Sequence, residues 1–417
     1  MQQLKKIGAI GGVISLALCW PLAVGQIGER VIHDAIGQIS SDSVKTEVVS
    51  YQRGYLSSQV TTRYIVNDPE LIEQLEQDGL PTELTVVSNV SHGLFDLTAE
   101  SHVRELDDMP LTLNTVTQLN GNTRFDVQLD SWNYADADGV TVSNTPISLT
   151  GETTVLGEIS YQFDMPSLHL EFGNGEAMQV SGMTGVGEGK RLNNFWLGDQ
   201  TVTLEQLTVI DEQLAEKMRI SGVKYQFESS QNAANQRLDS RHVLDVAEFN
   251  SAQGQLTDIN FDFSLGDLDA EAFSQLLSLY QNSGQLSEAE IQQAVPLLES
   301  LFAKGFYVSL NKMALKLGEG VFSSNINLRV PEGTDNVAQQ PEKILPALTG
   351  SLESFISQQL VQQYPFIQQG IDEGIIMEMI RETERGYHIK ADVENGHLRF
   401  ENGPRIPIVS LMLPVVM

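Results

Sequence analysis

Between Val44 and about Leu265, the chain consists largely of short runs in which apolar and polar residues alternate. Successive side chains of a β-strand point to opposite faces, so a period of two gives one face to a core and the other to water. Turn signals separate the runs, and no helical pattern intervenes as a parallel α/β sheet would require. The spacing therefore predicts a long antiparallel meander. The clearest runs are 125–129, 159–163 and 168–172, and the turn signals are Asn120-Gly121, Gly139, Gly151-Glu152 and Gly173-Asn174.

After this region, apolar residues begin to recur at helical spacing. Asp269 is placed to cap a helix that runs to about Asn282. Ser287 and Glu290 have the spacing of a capping box that opens a second helix, and Gly305 is suited to ending it. The elements predicted beyond are strands at 306–317 and 321–330, a polar break at 334–341, helix over 344–384 interrupted at Pro365, and strands at 387–393 and 397–400 that turn at Asn395-Gly396.

These elements predict an α+β fold that is predominantly antiparallel β. With many strands and few helices, the sheet must twist and curl to bury one face, which leaves a concave apolar surface. The apolar tail 406–417 is too short to span a bilayer, so we expect an extended segment packed on the body. The predicted divisions are an N-terminal anchor at 1–28, a β-rich body at 29–265, and a mixed α+β region at 266–417 that continues the body.

Residues 7–28 carry no charged side chain, and Lys5 and Lys6 precede them. About 20 apolar residues in a helix cross the hydrocarbon core of a bilayer. Flanking lysines favour a cytoplasmic N-terminus, which sends the rest of the chain across the membrane. The segment predicts a single transmembrane helix, with the N-terminus cytoplasmic and the rest of the chain on the other side of the membrane.

Two other interpretations of this segment stay open. A cleaved signal peptide also combines a basic start, an apolar stretch and small residues, here Ala23 and Gly25. A lipoprotein would use Cys19, but Leu18 stands where a small residue is normally needed. The length of the apolar stretch, and the helical spacing that continues through Ile27 and Val31, favour an uncleaved anchor.

Composition narrows the classes of partner. The 417 residues include 55 acidic and 25 basic side chains, which give a formal charge of −30. Nucleic acid binding requires a basic surface, so this acidic chain excludes it, and anionic lipid headgroups would repel the body. The single cysteine, Cys19, lies in the apolar segment, so the body has neither a disulfide nor a thiol nucleophile.

Several patterns suggest metal or phosphate binding, but their residues do not have the spacing that the corresponding motifs require. No two of the seven histidines have the one-turn separation expected of a zinc site on a helix. The glycine-rich stretch 182–190 has Thr184 and Arg191 where a P-loop needs glycine and a hydroxyl residue, so we expect its glycines to shape a bulge or hairpin end. Asp136 and Asp138 form only a fragment of a calcium loop.

A pattern for covalent chemistry also fails. Ser309 and Lys312 have the Ser-x-x-Lys spacing of penicillin-binding enzymes, but they lie in a β-like run without the companion elements. We therefore assign no catalytic, cofactor-binding or metal-binding residue and expect no cofactor.

Several short segments follow the Lys-Lys anchor in a recognisable order. They are Tyr51-Gln-Arg-Gly-Tyr-Leu-Ser-Ser58, Val90-Ser-His-Gly-Leu-Phe95, Leu265-Gly-Asp-Leu-Asp-Ala-Glu-Ala-Phe273, Gly386-Tyr-His388 and Glu394-Asn-Gly-His-Leu-Arg-Phe-Glu-Asn-Gly403. In this order, the segments resemble the YdgA-like envelope proteins of Gram-negative bacteria. Leu94 stands where the resemblance leads us to expect proline. The resemblance implies an inner-membrane anchor, a large periplasmic body and no catalytic residues to carry over.

Three functions from different classes follow. The first hypothesis is a non-enzymatic envelope protein whose curved sheet binds an apolar ligand such as lipid. The second is a periplasmic scaffold or assembly factor that binds protein partners or self-associates through sheet edges. An unrecognised hydrolase is the third, because catalytic groups converge in space rather than in sequence. The surface suggested for the scaffold is glutamine-rich: Gln358, Gln359, Gln362, Gln363, Gln368 and Gln369.

Overall fold

The computed structural model divides into two compact units. One comprises the described parts of Met1–Ala135 with Val142–Pro166, and the other those of Asp136–Thr141 with Ser167–Met417. The division predicted between residues 265 and 266 falls inside a strand of the second unit. The structure describes residues 44–69, 72–73, 81–106, 109–135, 139–192, 195–213, 215–252, 254–282, 287–401 and 403–409.

In the first unit, antiparallel strands pair in sequence order, with a short excursion before β9. Each of β1 to β5 pairs with the next strand, β6 pairs with β9, and β9 pairs with β10. The predicted antiparallel meander is therefore confirmed. The strands are β1 Val44–Arg53, β2 Ser57–Val66, β3 Glu83–His92, β4 Asp96–Val103, β5 Leu111–Gln118, β6 Thr123–Leu129, β7 Trp132–Ala135, β8 Thr141–Asn144, β9 Ile147–Thr153 and β10 Glu158–Glu171, of which the residues from Ser167 onward belong to the second unit.

The second unit continues with much longer antiparallel strands. Each of β11 to β17 pairs with the next strand, β18 pairs with β20, and β20 also pairs with β19 and β21. The strands are β11 Ala177–Leu192, β12 Phe195–Ile210, β13 Glu216–Asn232, β14 Arg237–Ser251, β15 Gly254–Asp269, β16 Phe306–Leu317, β17 Gly320–Val330, β18 Thr349–Ser357, β19 Ile380–Thr383, β20 Gly386–Glu394, β21 His397–Phe400 and β22 Arg405–Pro407.

Helices interrupt the second unit where the capping signals predicted them. The Asp269 carboxylate accepts from the backbone of Ala272 at 3.0 Å, and Ser287 and Glu290 form the predicted capping box. Gly305 ends the second helix at φ 73°, a conformation that favours glycine. The helices are α1 Ala270–Asn282, α2 Glu288–Lys304, α3 Ile344–Ala347, α4 Gln358–Gln363 and α5 Pro365–Ile376.

Three buried clusters stabilise this architecture. The first unit packs around Val60, Val90 and Leu97. In the second unit, α1 and α2 pack on the ends of β14 and β15, where the buried residues include Leu238, Leu268 and Leu301. A third cluster joins α4 and α5 to β20 through Val361, Ile371 and Tyr387. Burial of such side chains contributes about 1.5–3 kcal/mol each.

The helix predicted over 344–384 is partly wrong. Thr349–Ser357 forms a strand that pairs with β17 on one side and β20 on the other, and Ile380–Thr383 forms another. Two strand edges offer this segment a full set of backbone partners, which outweighs its local helical pattern. The interruption at Pro365 is confirmed, because Pro365 is the first residue of α5.

Gly151 does not mark a turn as predicted. It lies inside β9, and the turn comes at Thr154–Gly157. The ring of Phe125 occupies the space beside Gly151, where an added Cβ would meet Cζ at 2.4 Å. A glycine inside a strand here allows close approach of a neighbouring side chain.

The predicted transmembrane helix at 7–28 lies outside the described residues, as does the tail beyond residue 409. Within the described part of the chain, none of the helices combines the length and apolar character needed to cross a bilayer.

Replacement of Leu268 by alanine tests the packing of α1 and α2 on the sheet. Leu268 is buried in the cluster that these helices form, so we expect Leu268→Ala to lower the free energy of unfolding by about 2–5 kcal/mol. Leu298→Ala is the matched control, because Leu298 is exposed on α2, and it should change stability by about 0.5 kcal/mol or less. Urea denaturation followed by circular dichroism measures both, and equal losses would contradict the packing.

Candidate functional site: an open apolar sheet face

Large apolar side chains occupy one face of the sheet formed by β13 to β16. Residues paired across an antiparallel ladder point to the same side, and so do alternate residues along a strand. Tyr225 pairs with Leu244, and Leu244 pairs with Phe261, which pairs with Met313. Two residues along each strand, and therefore on the same face, Phe227 pairs with His242, which pairs with Phe263. We call these seven residues the apolar face: Tyr225, Phe227, His242, Leu244, Phe261, Phe263 and Met313.

The opposite face of the same strands is polar. Arg241 makes two hydrogen bonds to the Asp262 carboxylate, at 3.0 and 2.7 Å. The donated bond from Arg241 lowers the pKa of that carboxyl group, so Asp262 is charged at neutral pH. Asn311 donates to both Asp262 and Ser264. The sheet is therefore amphipathic, with its charges gathered on one side.

The apolar face is partly open to solvent, because none of its seven residues is fully buried. Among the described residues, α1 and α2 pack on the end of the strands near Leu238 and Leu268. Farther along, Phe261 and Met313 are each 37% exposed although they are neighbours on a row of large apolar side chains. A contiguous exposed apolar patch on a folded protein is typical of a ligand or partner site.

One polar pair lies within the apolar face. The hydroxyl of Tyr225 and Nδ1 of His242 are 2.8 Å apart, and the His242 ring lies 4.9 Å from the Phe227 ring and 6.2 Å from the Phe263 ring. Burial lowers the pKa of His242 and raises that of Tyr225, so both are neutral at pH 7.

The second nitrogen of His242 is available for a ligand. Among the described residues, Nε2 of His242 makes no hydrogen bond. When the tyrosine hydroxyl donates to Nδ1, the neutral ring carries its proton on Nε2. The Nε2–H group is then one hydrogen-bond donor among aromatic side chains. An apolar surface with one or two placed polar groups is the usual form of a site for a ligand that is mostly apolar.

The remaining histidines do not converge. His388 packs against the Phe355 ring, and Nδ1 of His397 contacts the Asn395 carbonyl oxygen. Across the described ranges, no three His, Cys, Asp or Glu side chains are grouped as metal ligands would be. His33 and the pair Asp136 and Asp138 lie outside the described residues.

The other motifs that suggested chemistry lie in strands. Ser309 and Lys312 belong to β16, where the Ser309 hydroxyl donates to the Asn327 side chain at 2.8 Å. The glycine-rich stretch 182–190 is part of β11, and Gly182 has a φ of 62° in mid-strand.

A serine and a histidine do meet in the first unit. Ser58 Oγ lies 2.8 Å from Nε2 of His92, and the other ring nitrogen is 3.4 Å from the Tyr55 carbonyl oxygen. Both residues are buried, at 4% and 8% exposure, and the orienting group is a carbonyl rather than a carboxylate. A nucleophile needs access to its substrate, so this pair joins two hairpins and does not present a hydrolase dyad.

The comparison with known families bears on most of the chain. A family model described as bacterial protein of unknown function (DUF945) matches residues 4–408. The chain belongs to the DUF945 family. No curated protein and no solved structure matches it. Because the DUF945 description assigns no activity, the functional argument rests on the geometry of the apolar face.

The pH dependence of stability tests the environment of His242 in this DUF945 protein. The folded pKa of His242 is lowered, so the unfolded chain binds more protons between that pKa and the ordinary value of about 6.5. Stability contributed by the neutral ring is complete above pH 6.5 and is lost as the pH falls through the folded pKa. We expect His242→Gln to reduce the loss of stability between pH 7.5 and pH 5 in urea titrations. If His242→Gln and the unchanged protein lose the same stability between pH 7.5 and pH 5, the His242 ring is solvated rather than buried.

Proposed function

We propose that this DUF945 protein holds an apolar ligand, a lipid acyl chain, on the apolar face of β13 to β16. The exposure of Phe261 and Met313, two neighbours in a row of large apolar side chains that continues through Leu244 to Tyr225, carries the proposal. Each methylene group removed from water contributes about 0.8 kcal/mol, so a chain laid along several strands gains affinity over its whole length. The role is one of binding, and no catalytic step is included.

The polar pair supports a ligand with a carbonyl or hydroxyl group at one end of its chain. An acyl ester has one carbonyl oxygen that can accept a hydrogen bond from Nε2 of His242. A buried donor left without a partner costs about 1–3 kcal/mol, which favours ligands that supply the acceptor over pure hydrocarbons. Neutral Tyr225 and His242 offer no charge to a free carboxylate, so an ester is favoured over a fatty acid anion.

The proposal includes the location inferred from the sequence. Residues 7–28 would anchor the chain in the bacterial inner membrane, with its body in the periplasm, as in the YdgA-like proteins that the motifs resemble. Such an anchor would keep the apolar face close to a reservoir of lipid.

Photoactivated lipid labelling tests the site in the full chain. The protein is reconstituted with a phosphatidylethanolamine that carries a diazirine on one acyl chain, and the labelled peptides are mapped by mass spectrometry. We expect labels on the peptides containing Phe261 and Met313, and a loss of most of this labelling in the Phe261→Ser, Met313→Ser double variant. Lys224→Ser is the matched control, since Lys224 is exposed on the polar face of β13 and should label like the unchanged protein. Labelling that avoids β13 to β16 would overturn the proposal.

A second candidate function, a scaffold that binds protein partners, is favoured by one observation. Ile291, Val295 and Leu298 lie on one side of α2, and all three are exposed. Apolar residues at this spacing form the stripe with which a helix packs on a partner. The glutamine-rich surface on α4 and α5 is less specific, because Gln368 and Gln369 donate to Asp372 and Glu373 of their own helix.

Crosslinking in cells distinguishes the scaffold from the lipid site. A photoreactive amino acid at Ile291 should capture one protein in stoichiometric amount if the stripe is an interface. Leu298→Ser should then abolish the capture because it interrupts the stripe. Exposed Glu271 on α1 is the control position for the photoreactive group. Capture at Glu271 equal to that at Ile291 would indicate nonspecific contact.

A further inference from the structure

Four hairpin turns of the first unit lie side by side at one end of its sheet. Because the strands alternate in direction, every second connection falls at this end. Neighbouring turns contact one another: the His92 amide donates to the Leu56 carbonyl at 2.8 Å, and the Leu119 amide to the Phe95 carbonyl at 3.3 Å. The Val155 amide donates to the Asn122 side chain at 3.3 Å. We call the segments 53–58, 92–97, 118–124 and 153–158 the hairpin tips.

Three of the hairpin tips present large apolar side chains to solvent at their apices. Leu156 is 79% exposed, Phe95 71% and Leu94 64%. Tyr55, Leu56 and Val155 are exposed as well, so each of these apices carries two adjacent apolar residues. Tight turns normally use polar residues, glycine and proline. Six large apolar residues in a row of turns therefore need a functional explanation.

Local contacts hold these side chains outward. Gly54 and Gly93 each donate a backbone hydrogen bond across their turns, to Ser57 at 2.7 Å and to Asp96 at 2.9 Å. The buried contact between Ser58 and His92 then joins the first tip to the second. Turns fixed in this way cannot fold their apolar residues back onto the sheet, so the exposure is built into the hairpins.

Charge favours a lipid surface as the occupant. The whole chain carries −30, which opposes approach to a membrane, whose headgroups are neutral or anionic. The hairpin tips depart from this excess: their charged residues are Arg53 and Arg124 against Asp96 and Glu158, two of each sign. This end of the unit can therefore approach a bilayer without the electrostatic penalty that the rest of the chain would meet.

The chain that precedes β1 places a bilayer within reach. Residues 7–28 are apolar and long enough to span, and residues 29–43 connect them to the start of β1 at Val44. Fully extended, those fifteen residues reach about 50 Å, whereas the ten residues of β1 measure about 33 Å. The connection is thus long enough to return along β1 to the end where the hairpin tips lie.

We propose that the hairpin tips insert into the interface of a lipid bilayer with Phe95, Leu156 and their apolar neighbours among the acyl chains, in the membrane that residues 7–28 enter. Side chains at separate convex apices suit a fluid surface, which closes around each of them. The apolar face of the second unit is a different surface, so this inference does not depend on the lipid site proposed there, but it rests on the anchor at residues 7–28 that the proposed function includes.

Site-specific fluorescence in full-length protein tests the insertion. In a Cys19→Ser background, Phe95→Cys or Leu156→Cys carries the environment-sensitive dye NBD, and the protein is reconstituted in phosphatidylcholine vesicles. We expect blue-shifted emission at both positions, and strong quenching when the phosphatidylcholine is brominated on its acyl chains. Ser131→Cys is the matched control, because Ser131 is exposed at the opposite end of the same sheet, and its label should stay in water.

Each alternative occupant has a distinct result. Labels at Phe95 and Leu156 that remain as water-exposed as the label at Ser131 overturn the insertion. A blue shift without bromolipid quenching means that protein covers the tips, and dependence on protein density in the vesicles identifies a second copy of the chain. That result also overturns the proposal. None of these results affects photoactivated labelling at Phe261 and Met313, so the two proposals fail separately.

Discussion

The pairing of Asn232 with Arg237, where β13 turns into β14, sets the register on which the apolar face depends. Gln236 closes this turn by donating to the Asn232 carbonyl at 2.8 Å. Counting back from the turn places Phe227 opposite His242 and Tyr225 opposite Leu244. A slip of one residue would move each of these side chains to the other face of the sheet. The backbone hydrogen bonds at this turn therefore determine which face of the sheet carries the aromatic side chains. They also determine the contact between Tyr225 and His242.

Few helices cover this sheet, so much of it is stable in water only if one of its faces is polar. α1 and α2 bury the end of the sheet near Leu268, and α4 and α5 bury the region near Tyr387. Elsewhere, water solvates the polar face through charged groups such as Arg241, whose side chain is 51% exposed and pairs with Asp262. Charge on that face permits large apolar residues to stay open on the other without making the whole surface prone to aggregation.

Strand positions and helix caps could be predicted from the sequence because their signals are local. The meander, the capping box at Ser287 and the end of α2 at Gly305 each depend on residues a few positions apart. Local signals failed where distant partners decide. Thr349–Ser357 is a strand because β17 and β20 flank it, and Gly151 continues a strand because Phe125 lies beside it.

The candidate site shows the same limit. The alternation of Tyr225 with Phe227 and of Phe261 with Phe263 was visible in the sequence, and the turn near residue 234 could have brought His242 opposite Phe227. What the pattern could not give is which apolar rows the helices cover, because α1 and α2 reach the sheet from between β15 and β16. The exposure of a strand's side chains depends on which helices pack on them, so the sequence of the strand alone does not predict it.

The two apolar surfaces differ in form, and the difference decides what each can do with lipid. The apolar face in the second unit is extended and half-buried, so a single acyl chain can lie across several strands and leave water along its whole length. The hairpin tips in the first unit are separate apices with polar turns between them, such as Asn120-Gly121, so no single chain could cover them. An extended face of the first kind fits a single bound molecule. Separate apices of the second kind fit a fluid lipid surface. The two proposals therefore rest on different features, because strand register forms the apolar face and turn geometry forms the hairpin tips.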